Sequence, residues 1–543
     1  MQTKKFDFPI LLITLMIAGP IFAISWLASF PSDDIWKHLI ETVLFRYTYT
    51  TIFLMIGVGI GTLLIGVSSA WLVTCCEFTG RKIFEWSLLL PMAIPAYIIA
   101  FIYTDLFEYS GSVQESIRLL FSWKSPSDYW FPEIRSLWGA IFMMTFVLYP
   151  YVYLLSRVSF SEQSSTIIDV SRTLGRGPWD TFFRISIPLA RPSLAIGVSL
   201  VLMEVLNDFG TVDFFAIETF TAGIYDVWMN MDSISGASQL SVVLLIFVLL
   251  LLFTEKWGRR KQNFTNNTKI KKPIRRYDLQ GYKNHISFIV CITPIFFGFI
   301  LPCLILIRDS FIFYDFGKNF EFLRIMSNSF LLSSLSAITA TIIAIFLGYG
   351  QRIRKNRFIR GFIRFSSIGY AIPGSVLAVG VIISFGKIDE FLNFIFGITN
   401  EISLSSTLIV IIYAYSVRFL ALSFGSIESS LSKVTPNMDF ASRTLGMNPR
   451  NTLFKVHIPI IKKGVLASAI LVFVDCMKEL PMTLILRPFN FETLSTNVYQ
   501  FASDELFEES ALSALAIVLT GVIPVIILSN IISSENNKIG EEI

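Results

Sequence analysis

Two acidic residues, Glu204 and Asp475, lie within long apolar segments of the sequence. Glu204 follows Pro192 by 12 residues, which corresponds to roughly 18 Å along a helix that rises about 1.5 Å per residue. Asp475 occupies the corresponding position of a later segment. Because an ionisable group at such depth in a bilayer is costly, it usually faces a cavity or a partner.

Four further polar residues follow these acids within about one helical turn, namely Asn207, Asp208, Lys478 and Glu479. All six residues are candidates for the polar lining of a translocation path, in which the carboxylates would suit a hard cation. Local pairing explains them equally well, with Asp475 bonded to Lys478 at i,i+3 and the glutamates accepting structural hydrogen bonds. The cysteines and histidines are scattered, and the sequence predicts no metal site built on them.

The phrase Ser-Arg-Thr-Leu-Gly occurs twice, at residues 171–175 and 442–446, and each copy is followed by an Ile-Pro pair. Each copy is predicted to form a short helix, a sharp turn and a second helix. Gly175 and Gly446 stand where a helix ends in a residue of positive φ. Thr435 and Pro436 are of the types preferred at a helix N-cap and first turn. Such a helix either binds a partner through an exposed apolar face or lies on its own bundle or on lipid.

The composition indicates a membrane protein, whose long apolar segments must cross the bilayer. Of 543 residues, 53% are hydrophobic and 15% are charged, against about 25% charged in soluble domains. A spanning helix needs about 20 apolar residues. Twelve segments qualify, at roughly 10–30, 52–73, 86–104, 138–156, 193–209, 238–255, 285–307, 328–350, 364–385, 405–424, 464–482 and 511–530. The first is predicted to be a retained helix, since its apolar run is long for a signal peptide.

Positive charge predicts the orientation, because loops rich in Lys and Arg stay in the cytoplasm. Placing the N-terminus inside puts most Lys and Arg residues on the inner side, and both termini are then cytoplasmic. Both copies of the repeated phrase also lie inside. The outer segments 210–236 and 488–510 are acidic and contain no Lys or Arg, which suits a cationic ligand or a basic partner, although ordinary solvated loops would look the same.

The chain reads as two repeated halves of six helices each. Residues 1–256 form the first half, 257–284 a basic cytoplasmic linker, and 285–543 the second half. At the offset of the repeated phrase, Pro178 corresponds to Pro449 and Glu204 to Asp475. Equal helix numbers predict parallel repeats related by an axis along the membrane normal. Two pseudo-symmetric surface helices in turn suit a partner with two-fold symmetry.

The repeated phrase resembles the EAA loop of ABC-transporter permeases, in loops at about 160–192 and 428–463. Asp169-Val170-Ser171-Arg172-Thr173-Leu174-Gly175 fits with Ile187-Pro188, whereas in the second copy Phe440 takes the acidic position and Asp439 lies one residue early. The stretches 90–97, 204–212 and 478–488 are similar to fused two-half permeases of bacterial ferric-iron uptake. The resemblance covers nearly the whole chain and implies the fold of a type I importer permease.

That resemblance implies a function and partners. The chain would be the membrane subunit of an ABC importer in the bacterial cytoplasmic membrane, moving ferric iron, or else thiamine or another small cation. Two ATPase subunits would dock on the coupling residues Asp169, Ser171, Arg172, Leu174, Gly175, Ala441, Ser442, Arg443, Leu445 and Gly446. An extracytoplasmic binding protein would deliver cargo, and membrane lipid surrounds the helices.

No enzymatic activity is expected of the chain itself. It lacks a GxxxxGK[ST] phosphate loop, so ATP and Mg²⁺ would bind the separate ATPase. The chain is expected to bind no cofactor and no nucleic acid. A secondary carrier of six-plus-six helices is the rival class, suggested by the basic turn Gly80-Arg81-Lys82, but it leaves the repeated phrase unexplained.

Overall fold

The protein is helical almost throughout, in a computed structural model that describes residues 7–31, 35–163, 170–171, 173–259, 276–313, 317, 319–353, 360–363, 369–396, 403–432 and 434–541. The predicted all-helical class is confirmed. Apolar segments take this form because a helix satisfies every backbone polar group within the segment.

Twelve helices lie in the first 259 residues: α1 (Asp7–Leu27), α2 (Ile35–Thr42), α3 (Leu44–Cys75), α4 (Arg81–Ser87), α5 (Ala96–Phe107), α6 (Ser112–Phe121), α7 (Leu137–Glu162), α8 (Pro178–Thr181), α9 (Ile187–Asn207), α10 (Gly210–Phe214), α11 (Phe220–Met229) and α12 (Ile234–Arg259), counted over the described residues. The helices described after them are α13 (Tyr282–Ile295), α14 (Leu301–Ile312), α15 (Asn319–Ile353), α16 (Gly374–Phe396), α17 (Leu408–Ser432), α18 (Pro436–Thr444), α19 (Pro449–Thr452), α20 (Ile458–Lys478), α21 (Pro481–Leu486), α22 (Leu494–Ser503) and α23 (Ala511–Glu541).

Shorter elements connect these helices. In the part of the chain that the structure describes, three π-helical turns, Phe182–Ser186, Phe296–Ile300 and Leu453–His457, lead into α9, α14 and α20. Single 3-10 turns cover Leu90–Ala93, Pro126–Asp128, Gly369–Ala371, Leu404–Ser406 and Phe507–Ser510.

Nine of the described helical segments are long and apolar enough to cross a membrane, and a tenth span results if the bent pair Arg81–Ala93 and Ala96–Phe121 counts as one. These ten match ten of the twelve predicted segments. The remaining predicted segments, 364–385 and 464–482, overlap α16 and α20, which carry several charged residues each. All twelve predicted segments therefore contain a helix.

The structure corrects three of the predicted segments. The segment 86–104 is not one helix, because the chain bends by 88° between Ala93 and Ala96, where Pro95 precedes α5. The segments 193–209 and 464–482 each run across a break, since α9 ends at Asn207 and α20 ends at Lys478. Hydropathy did not reveal these two breaks because apolar residues continue on both sides.

One compact unit consists of Met1–Glu41, Gly223–Leu245 and Asp315–Asn497. Within it, α15 packs against α17 and α20, and α1 packs along α16. The backbones of α1 and α16 approach closely, because a Cβ added to Gly380 would lie 2.4 Å from the carbonyl oxygen of Pro20. Glycine is required at this crossing.

The other compact unit consists of Thr42–Ala222, Ile246–Tyr314 and Val498–Ile543. Here α3, α7 and α9 pack against one another, and α14 packs against α23. A Cβ added to Gly66 of α3 would lie 2.9 Å from the backbone nitrogen of Tyr153 in α7. Small residues again permit the close crossing.

The two compact units do not coincide with the two repeated halves of the sequence. Helix α1, from the start of the chain, packs among helices that follow residue 315, whereas α13 and α14 lie in the unit that holds α3, α7 and α9. The division into 1–256, 257–284 and 285–543 rests on the sequence repeat and stays a prediction about that repeat.

The end of the basic linker is attached to the turn after α3. The strand β2 (Tyr277–Asp278) pairs in parallel with β1 (Cys76–Glu77). The side chain of Asn284 accepts a hydrogen bond from the backbone N–H of Thr79 at 2.8 Å. The linker residues 260–275 lie outside the described residues.

Candidate functional site

Each copy of the repeated phrase lies in a segment that turns between two helices. We name residues 170–186 the first SRTLG segment and residues 435–457 the second SRTLG segment. In the second, α18 begins at Pro436 with Thr435 at the N-cap position, as predicted, although the threonine side chain makes no capping bond. In the first, Asp169 and Arg172 lie outside the described residues.

The predicted glycine turns are confirmed in both segments. Gly175 has φ +74° and Gly446 has φ +75°, in the left-handed region that glycine adopts without steric cost. The backbone closes both turns alike: the N–H of Arg176 donates to the Ser171 carbonyl, and that of Met447 donates to the Ser442 carbonyl, each at 3.1 Å.

A buried serine–threonine bond fixes each turn against the helix that follows it. Ser171 Oγ lies 2.8 Å from Thr181 Oγ1, and Ser442 Oγ lies 2.6 Å from Thr452 Oγ1. Both serines are buried, with 2% and 4% of their surface exposed. The serine of the phrase thus stabilises the turn from inside and is not available on the surface.

The tip of each segment is apolar and exposed. Leu174 is 72% exposed and Leu445 is 77% exposed. Ala441 and Arg443 lie on the exposed surface of α18. Large apolar side chains with this exposure favour contact with another surface, and the two tips present the same residue on the same turn.

The polar residues after α9 and α20 occur at two copies of one backbone break. Asp208 accepts hydrogen bonds from the N–H groups of Thr211 and Val212 at 3.1 and 3.3 Å. Glu479 accepts them from the N–H groups of Met482 and Thr483 at 3.1 and 3.2 Å.

Each acid therefore satisfies N–H groups that the first turn of a helix leaves without partners. This capping allows the backbone to end one helix within an apolar stretch and to begin another.

Asp475 and Lys478 form the local pair that the sequence left open, with Lys478 Nζ 3.4 Å from Asp475 Oδ1. Both side chains keep partial exposure, at 29% and 22%. Glu204 is half-buried one turn before the end of α9. Asn207 is 5% exposed, and its Oδ1 accepts no hydrogen bond from the described residues.

Arg418 finds its partner in Glu479, which the sequence did not reveal. The guanidinium Nη1 lies 3.0 Å from Glu479 Oε1, with 9% and 3% of the two side chains exposed. Gly374 makes room for this pair, because a Cβ there would lie 2.1 Å from Arg418 Nη1.

The first half lacks this pair. It has Val147 and Ala96 at the positions that correspond to Arg418 and Gly374, and no Lys or Arg of the described residues forms an ion pair with Asp208. The glycine at 374, where the first half has Ala96, was a signal of this pair in the sequence. Its meaning becomes clear only once the structure shows Arg418 beside it.

Comparison with known proteins shows what the chain is similar to. Residues 62–255 match the family described as the inner membrane component of binding-protein-dependent transport systems. The chain is 28% identical over 483 residues to the Fe(3+)-transport system permease protein FbpB 2 of Haemophilus influenzae, covering 88% of each chain. It is 22% identical over 523 residues to the putative ferric transport system permease protein FbpB 1 of the same organism, covering 90% of this chain and 78% of the relative.

A shorter relative matches only part of the chain. The molybdenum transport system permease protein ModB of Escherichia coli is 24% identical over 207 residues, which are 84% of ModB and 36% of this chain. The comparisons confirm the predicted resemblance to a fused ABC-transporter permease.

Proposed function

We propose that the chain is the permease subunit of an ATP-driven importer of ferric iron. The match of residues 62–255 to the inner membrane component of binding-protein-dependent transport systems supports this proposal. The chain is a multi-pass inner-membrane transport subunit and is not itself an enzyme. The observation that carries the cargo assignment is the similarity, along nearly the full length of both chains, to a permease named for Fe(3+) transport.

The two SRTLG segments are proposed to be where two copies of a separate ATPase bind. Their matched turns, buried serine bonds and exposed leucine tips offer two equivalent contacts. A symmetric pair of ATPase subunits requires such equivalence. ATP and Mg²⁺ would bind those subunits, whose closure would push on Leu174 and Leu445. The predicted cytoplasmic placement of both termini belongs to this proposal, because it puts both segments on the ATPase side.

The path for the cargo is proposed to run past the breaks after α9 and α20. Glu204, Asn207 and Asp208 supply oxygen atoms from the first half, and Asp475 supplies a carboxylate from the second. Glu479 and Lys478 are engaged by Arg418 and Asp475, so we assign them a positioning role. The acidic side chains among these residues favour a cation as cargo.

A substrate-loaded binding protein is proposed to dock on the outer acidic segments 210–236 and 488–510. Part of their charge is already neutralised, since Glu218 pairs with Arg46 at 2.9 Å and Glu492 pairs with Arg487. Asp232, Asp504 and Glu505 remain on the surface. A basic surface on the binding protein would complement them.

The test is competitive uptake of radiolabelled ferric iron in cells with and without this chain. We expect iron uptake to depend on the chain, to stop when ATP is depleted while the proton gradient is kept, and to resist excess unlabelled thiamine or molybdate. Suppression by thiamine would reassign the cargo within the same transporter class. Uptake that continues without ATP and stops with the gradient would overturn the importer class in favour of a secondary carrier.

A further inference from the structure

Asp439 lies one residue before the acidic position of the motif, and residues of the same chain bind both of its carboxylate oxygens. Its Oδ2 lies 2.9 Å from Arg352 Nε and 2.8 Å from Arg352 Nη2. Its Oδ1 lies 2.7 Å from His457 Nε2. Both carboxylate oxygens are therefore engaged, one from α15 and one from the π-helical turn before α20.

Arg352 binds the end of α17 as well as Asp439. Its Nη1 donates to the carbonyl of Leu431 at 2.8 Å, and its Nη2 donates to the carbonyl of Val434 at 2.7 Å. These carbonyls lie at the helix end, where intrahelical partners are missing. One planar guanidinium thus joins three elements, namely α15, the end of α17 and α18.

His457 completes the connection from the other side of the Gly446 turn. Its ring is fully buried, and Nδ1 has no hydrogen-bond partner among the described residues. Nε2–H donates to Asp439, because a carboxylate oxygen accepts. Burial lowers the pKa of His457, against the opposing effect of Asp439. Tyr349 of α15 donates its hydroxyl to the Pro449 carbonyl at 2.6 Å. Helix α15 therefore contacts the second SRTLG segment both before and after its turn.

We propose that Arg352, Asp439 and His457 act as positioning residues that clamp the second SRTLG segment to α15, α17 and α20, so that a force applied at Leu445 moves these helices together. The inference rests on the proposed function, because it assigns the route by which the work of the ATPase enters the second half. The clamp also explains why Asp439 lies one position before that of the acid in the first copy, because its carboxylate binds Arg352 and His457 within the chain.

The histidine contact of this clamp has no counterpart at the corresponding first-half position. Ser186 stands in the place of His457, and its buried hydroxyl has no partner among the described residues. The replacement His457→Ser therefore gives the second half a residue that the fold already accommodates at the matching position.

The experiment measures ATP hydrolysed per ferric ion transported, in vesicles that contain the full chain, its ATPase and a ferric-loaded binding protein. Asp439→Asn and His457→Ser are expected to raise this ratio roughly 2- to 30-fold, the range over which such residues modulate coupling, while co-purification with the ATPase is retained. Glu428→Gln is the matched control. It weakens the exposed bond from Gln351 to Glu428 at 2.7 Å, which joins α15 to α17 without reaching α18, and it should leave the ratio unchanged.

A conservative variant separates the clamp from a general loss of structure. His457→Gln places an amide N–H where Nε2–H stood and should return the ratio towards the wild-type value. Arg352→Lys keeps the charge but replaces the planar guanidinium with a single nitrogen. It should also raise the ratio, and it replaces Asp439→Asn if that variant fails to accumulate.

An unchanged ratio in Asp439→Asn, or equal uncoupling by His457→Gln and His457→Ser, overturns the inference. Absence of ATP-dependent iron uptake in the wild-type vesicles would instead refute the proposed function itself.

Discussion

Replacing Gly374 by alanine should break the buried pair between Arg418 and Glu479. The added Cβ would lie 2.1 Å from Arg418 Nη1 and 2.8 Å from Glu479 Oε1, whereas ordinary contacts begin at 3.4 Å. The guanidinium must therefore retreat by about 1.3 Å, the difference between 3.4 and 2.1 Å. A displacement of that size removes a hydrogen bond that is 3.0 Å long.

The expected cost follows from the burial of both partners. Arg418 is 7% exposed and Glu479 is 5% exposed, and breaking a buried ion pair costs about 3–5 kcal/mol. Glu479 keeps its backbone donors from Met482 and Thr483, which favours the lower end, about 3 kcal/mol. At about 2–4 °C per kcal/mol for a large domain, the melting temperature should fall by about 6–12 °C.

The assay is thermal unfolding of the detergent-purified chain, followed by size-exclusion of the fraction that stays folded. Ala96→Gly is the matched control at the corresponding first-half position, and it should cost no more than about 1 kcal/mol. In an Arg418→Met background, Gly374→Ala should cost less than it does alone, because its nearest contact, Arg418 Nη1, is gone and only Glu479 Oε1 at 2.8 Å must still shift. Additive costs in the double variant, or a wild-type melt for Gly374→Ala alone, would refute the steric argument.

Three further pairs of substitutions test the proposed sites. Leu445→Glu, or Gly446→Glu at its positive φ, should uncouple transport while the chain stays inserted, and normal stimulation of ATP hydrolysis in reconstituted vesicles would count against docking at that tip. Glu204→Ala and Asp475→Ala should each slow iron uptake at unchanged membrane abundance, and wild-type uptake in the double variant would remove both from the path. Ser171→Ala and Ser442→Ala should each cost about 1 kcal/mol in thermal unfolding, and a markedly unequal cost would contradict the shared geometry of the two turns.

The glycine turns could be predicted from the sequence because their cause is local. A glycine after a short helical phrase and a proline three residues later specify a turn without reference to the rest of the chain. The apolar segments were predictable for the same reason, since spanning helices need only length and hydropathy. Because the phrase is repeated, the turn is predicted twice, and the structure shows the same turn at the corresponding positions of both copies.

The helix breaks could not be predicted because they lie within apolar runs. The buried pair could not be predicted because its residues are far apart in the sequence. Asp208 and Glu479 interrupt apolar runs by capping residues three and four positions ahead, which hydropathy does not register. Gly374, Arg418 and Glu479 come from three different helical regions, and only packing brings them together. The placement of α1 along α16 likewise depends on a close approach at Gly380, which no local pattern encodes.

Corresponding positions of the two halves share a backbone task but differ in charge. Asp208 and Glu479 cap the corresponding short helices α10 and α21 in the same register, yet of the two only Glu479 forms an ion pair with an arginine among the described residues. The repeat therefore preserves conformation where N–H groups must be satisfied, and it leaves electrostatics free to diverge. The two breaks are therefore alike in backbone conformation but not in electrostatics, because Glu479 is bonded to Arg418 whereas Asp208 forms no ion pair among the described residues.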